Sequence, residues 1–251
     1  MDNLWLTLGL ALLPALGNFC GGLLAELSRT TPRRLNLALH GASGLVIAIV
    51  AVEIMPRVLE SLSAWAIAAS FALGGVAYIG IEQLVDRLQK PEQGAASGRT
   101  AMWMIYIAVS IDLFSDGLLI GAGSAVATSV ALILAAGQVL ADFPEGYATI
   151  ADMKSKGVSR SKRLLLSASF VVPVLLAASL AYFLLRNQPE FFKLAALTFT
   201  AGLLMVAAVE EMLSEAHESK EDTRSSILAF VGGFVLFVLV SAGLEAWMTP
   251  S

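Results

Sequence analysis

Two short stretches set carboxylates inside runs that are otherwise leucine, isoleucine, alanine and glycine: "IDLFSDGLLIG" at 111–121 and "GQVLADFPEG" at 137–146. Asp112 and Asp116 stand at i and i+4, so on a helix they share one face a turn apart. Asp142 and Glu145 stand at i and i+3, with Gln138 a turn before them. Glu53, Glu210 and Glu211 occupy two further apolar runs. Placing one aspartate at the centre of a bilayer costs about 2.5–3.5 kcal/mol unless it meets water, a partner or a cation. No Lys or Arg falls among the acids of 112–116 or 138–145. Carboxylates without bases are what a divalent cation neutralises. The same acids could instead share protons, as a proton-coupled transporter or channel would need. Pro144 cannot donate an amide hydrogen and is expected to bend its helix and free carbonyl oxygens as ligands.

The elements that must carry these acids are membrane spans. The chain has 251 residues, 57% of them hydrophobic and 14% charged, with a mean hydropathy of +0.77. Those values exclude an ordinary soluble domain. About 20 apolar residues cross a bilayer as a helix, and eight such runs are predicted at 4–26, 38–60, 64–86, 101–125, 127–152, 164–186, 191–214 and 226–248. Strand alternation is missing, which excludes a membrane barrel. Trp5, Trp65, Trp103 and Trp247 sit near the run ends, where interfacial aromatics belong. The first run follows an acid, not a base, and is expected to stay as a helix instead of acting as a signal peptide. Cys20 is the only cysteine, so an intramolecular disulfide and a cysteine-rich metal site are excluded.

Polar connectors divide the runs three, two, three. The expected organisation is one transmembrane domain over 1–251: a three-helix unit at 1–86, a cytoplasmic connector at 87–100, a central helix pair at 101–152, a second connector at 153–163 and a second three-helix unit at 164–251. Thirteen of the 16 Lys and Arg residues fall on one side of the eight-span topology, leaving Arg57, Arg186 and Lys193 on the other. The positive-inside rule then puts both termini outside, in a plasma or bacterial inner membrane.

The units also repeat. "GLVIAIVAVEIMPRVLE" from Gly44 aligns without a gap on "GLLMVAAVEEMLSEAHE" from Gly202, pairing Glu53 with Glu211. "DLFSDG" aligns on "ADFPEG", pairing Asp116 with Glu145 and Gly117 with Gly146. With an odd number of connections between copies, helices 1–3 and 6–8 form inverted repeats, the plan of transporters whose substrate lies between the halves.

"ADFPEG", "DLFSDG" and "VEEMLSEAH" together resemble the ZIP (ZRT/IRT-like protein) family of divalent metal transporters. That family has eight spans arranged three, two, three, with HNxPEG on the fourth helix and (H/Q)(E/D)xPEG on the fifth. The resemblance implies metal ligands at Asp112, Asp116, Asp142 and Glu145, a contribution from Glu211, and its repeat mate Glu53. Leu113 and Ala141 stand where the family has ligands and cannot bind metal, so one of two family sites is expected to be weakened or lost. The resemblance implies transport of Zn2+ or a related ion (Mn2+, Fe2+, Cd2+) into the cytoplasm, whereas oxygen donors alone suit Mn, Mg or Ca better than Zn. His40 reads as a helix-end residue, and His217 between Glu215 and Glu218 as a solvated loop or an exit station. No GxxxxGK[ST] or HExxH pattern is present and the two aspartates share one helix, so no enzyme and no resident cofactor are expected. The expected partners are the metal ion and the bilayer, without nucleic acid; glycines such as Gly74, Gly75 and Gly80 permit a homodimer.

Overall fold

The computed structural model describes residues 2–88, 98–214 and 224–248. Among them every regular element is helical, and eight helices follow one another: α1 (Asp2–Leu27), α2 (Pro32–Ser61), α3 (Ala64–Leu88), α4 (Gly98–Val126), α5 (Thr128–Ser155), α6 (Arg160–Leu185), α7 (Glu190–Ala207, continued by Ala208–Leu213) and α8 (Arg224–Met248). Seven are long and apolar enough to cross a membrane. The eighth is α5, which spends hydropathy on Gln138, Asp142, Pro144 and Glu145. It is instead the most enclosed helix, with 16 of its 28 residues buried. The apolar helices sheath the polar one.

Local chemistry explains where the helices begin. α2 starts six residues before its apolar run because the Thr31 hydroxyl accepts the Arg34 amide and Pro32 takes the first turn, where its missing N–H costs nothing. α5 runs on through Pro144 without a break in its helical assignment, so the expected bend does not interrupt the element.

Four helix pairs dominate the packing: α1 with α5, α4 with α6, α2 with α8 and α3 with α7. Close approach depends on glycine. A Cβ on Gly44 in α2 would fall on the carbonyl oxygen of Phe230 in α8, and one on Gly202 in α7 would fall on that of Phe71 in α3. Gly74 and Gly233 make the reciprocal contacts, with Phe199 and Gly41. Gly74 is thereby consumed inside the chain. Both α2 and α7 also widen to π-helix, at Ile49–Ile54 and at Ala208–Leu213, a local insertion that tends to mark functional segments.

One end of the bundle is tied by charge. Glu26 at the end of α1 takes a two-point grip from Arg163 at the start of α6, with Nη2 2.9 Å from Oε2, while Arg160 approaches at 3.8 Å. Lys154 of α5 donates to the Ala25 carbonyl at 2.8 Å. These bases belong to the set that the charge count assigns to one side.

Three outcomes are expected in detergent melting experiments. Gly202→Leu should destabilise by about 1–3 kcal/mol through overpacking, whereas Gly80→Ala, with nothing within 4 Å of the added carbon, should be neutral or stabilising by up to about 1 kcal/mol. Arg163→Ala removes the two-point grip on Glu26 and leaves Arg160 as its nearest base, and should cost about 1–3 kcal/mol.

Candidate metal centre

α4 and α5 bring their acids together. Asp112, Asp116 and Asp142 each place a carboxylate oxygen within 4.8 Å of the other two, and all three side chains are buried. Asp112 also interacts with Glu145, and Asp116 with Asp142. Among the described residues, no hydrogen-bond donor reaches either oxygen of Asp116, Oδ2 of Asp142 or Oε1 of Gln138. If ionised, each pair at that spacing repels by at least about 3 kcal/mol even at an effective dielectric near 20. Such a group persists only with a positive charge or shared protons among the carboxylates.

The donors are oxygen throughout. Cys20 is exposed, and His40 lies against the Asn36 carbonyl at 2.9 Å within α2. The positions filled by Leu113 and Ala141 have joined the apolar core, both fully buried in hydrophobic clusters. Ser115 donates to its own helix at the Ile111 carbonyl, 2.9 Å away. Among the described residues of α4 and α5, the carboxylates and the Gln138 amide remain for an ion.

Glu53 does not join this group. Its carboxylate is buried and bonded to Arg57, Nη2–Oε1 2.7 Å and Nε–Oε1 2.9 Å, with the Ser241 hydroxyl 3.4 Å from Oε2. The expectation that no base would reach the intramembrane acids is therefore corrected at Glu53. α2 stays helical through Ser61, so Arg57 lies one turn from Glu53 on the same helix. Glu211 lies in the π segment, but its side chain falls outside the described residues, as do Glu215, His217 and Glu218 altogether.

A cavity of about 340 Å³ leads away from the centre. Glu145, Thr149 and Asp152 line it from α5, and Glu210 and Ser214 from the α7 side. From Glu145 to Asp152 is two helical turns, about 10 Å, toward the end of α5 that bears Lys154. In the opposite direction along α4 and α5, Leu119, Ile120, Ile133 and Leu134 are fully buried. Sequence reasoning missed the pairing of Arg57, the π segments and Asn18, a fully buried amide on α1 whose two polar atoms have no partner. Its one signal was a lone carboxamide in an apolar run.

Apolar helices sheathing a buried carboxylate centre define an integral membrane protein with a site suited to a cation. Residues 86–241 match the family described as ZIP zinc transporter, and the chain belongs to the ZIP family. Divalent metal transport follows from that membership. No curated protein matches the chain.

Removing one charge should relieve the metal-free repulsion. Asp116→Asn is expected to raise the melting temperature of chelator-treated protein. Wild type, but not the variant, should gain stability with added divalent metal, by about 2.7 kcal/mol at a hundredfold excess over Kd.

Proposed function

We propose that this chain moves a divalent cation, Zn2+ or one of Mn2+, Fe2+ and Cd2+, into the cytoplasm through a single centre formed by Asp112, Asp116, Asp142 and Glu145, with Gln138 beside them. The observation that carries the reading is the trio of buried aspartate oxygens within 4.8 Å of one another, with no ion-pair partner for them among the described residues. A dication cancels that repulsion while remaining exchangeable. The oxygen shell favours Mn2+ and Fe2+ as strongly as the family description favours zinc.

The route follows from the enclosure. The cavity past Thr149 and Asp152 to Glu210 serves as the cytoplasmic arm, on the side where the basic connectors lie. The apolar layer of Leu119, Ile120, Ile133 and Leu134 closes the outer arm. Both termini face outward in a plasma or bacterial inner membrane. Alternation comes from inverted repeats, helices 1–3 against 6–8, in a three, two, three arrangement. Support for the repeats lies in the reciprocal glycine contacts: exchanging α2 with α7 and α8 with α3 turns the Gly44–Phe230 contact into Gly202–Phe71. The π segments of α2 and α7 exchange with them. Glu53, held by Arg57, stands apart from the centre in this conformation.

Uptake of Zn2+, Mn2+, Fe2+ and Cd2+ into liposomes holding purified protein tests this reading. Wild type should show saturable flux, and Asp116→Ala should lose at least about tenfold, consistent with the loss of a ligand from a metal site. Equal flux in both would remove the carboxylate centre from the mechanism.

A further inference from the structure

Asn18 is an amide that the fold buries completely and then leaves without a partner at either Oδ1 or Nδ2. Each unsatisfied buried group costs about 1–3 kcal/mol, so a ligand or water must meet it. Its surroundings narrow the choice. α1 runs beside α5 in the same direction: Gly17 packs on Val139, Gly21 on Phe143, and the Ala25 carbonyl accepts from Lys154. Asn18 itself presses its backbone on Gly146, the residue after Glu145. Ala11 and Ala15, on the same stripe of α1 as Asn18, share an apolar cluster with Leu113, the residue after Asp112. Asn18 thus faces the seam between the two acid-bearing helices.

Helical side chains lean toward the amino terminus of their helix. Because α1 and α5 are parallel, that lean carries the Asn18 carboxamide from the level of Gly146 toward Asp142, one turn earlier on the same face of α5. Asp142 has an oxygen without a donor, as does Asp116 beside it. We propose that Asn18 is a further ligand of the transported cation, its carboxamide oxygen meeting the ion directly or through one bound water. Neutral carbonyl oxygens are normal partners for hard dications beside carboxylates. α4 offers no amide of its own at Leu113. Asn18 would add a donor from a third helix without adding charge, and would couple α1 to the occupancy of the α4 and α5 site.

The inference rests on the carboxylate centre proposed above, and the test separates the two. Binding of Mn2+ to the full chain in nanodiscs is measured by titration calorimetry, alongside the melting temperature in EDTA. Asn18→Leu should weaken Mn2+ binding about tenfold while leaving the metal-free melting temperature unchanged or higher, because an unmet amide has been replaced by an apolar group. Asn18→Asp should bind Mn2+ more tightly than wild type. Wild-type affinity in Asn18→Leu, with a lowered melting temperature, would make Asn18 purely structural and overturn the proposal. If the leucine variant fails to fold, unchanged or weaker binding in Asn18→Asp does the same. Asp116→Ala decides the underlying reading: lost binding there beside an unaffected Asn18→Leu defeats only the role of Asn18, whereas retained binding in Asp116→Ala defeats the centre itself.

Discussion

Three buried aspartates sharing one site, with no base beside them among the described residues, constrain the rest of this molecule. Their mutual repulsion and desolvation oppose folding, so the helices that carry them must be held by contacts elsewhere. α5 shows the consequence: it is the least apolar of the eight helices and the most enclosed. Backbone contacts at Gly17, Gly21 and Gly146 seat it against α1, where van der Waals packing substitutes for a hydrophobic driving force that lipid does not supply. The Glu26–Arg163 grip then fixes the ends of α1 and α6 around it.

The same constraint shapes access. A charge cluster sealed on all sides could not exchange its ion, and beside Glu145 the centre instead has a cavity that also carries Asp152 and Glu210 among apolar residues, with a layer of fully buried leucine and isoleucine on the other side. Opening the second side requires two packed layers to separate. The segments with the loosest backbone geometry, the π turns of α2 and α7, carry Glu53 and Glu210, so local helix widening and acidic side chains coincide on both.

Much of this was legible from residue types alone. Hydropathy placed eight helices to within a few residues, missing chiefly the starts of α2 and α6, where Thr31 with Pro32 and the basic run at Arg160 extend a helix beyond its apolar stretch. Helical spacing put Asp112 and Asp116 on one face of α4 and Asp142 and Glu145 on one face of α5, and the packing of the two helices brings the three aspartates' oxygens together. Spacing could not reveal what Glu53 does. Arg57 falls inside the same predicted run, 38–60, but the charge count sets it only among the bases of the outer side, and the helix continuing past Pro56 makes it an ion-pair partner. The π turns were hidden because they arise from packing, not composition. Asn18 was passed over because one amide among leucines and glycines carries no pattern until its neighbours are known.

The central claim is that a dication, held by oxygen alone, neutralises the Asp112, Asp116 and Asp142 cluster. X-ray absorption at the metal edge of Mn2+- or Zn2+-loaded protein, wild type beside Asp116→Ala, measures this most directly. The account predicts a first shell of oxygen scatterers with no nitrogen or sulfur in wild type, and its loss in the variant. A shell containing imidazole nitrogen, or an identical spectrum in Asp116→Ala, would place the ion elsewhere and contradict it.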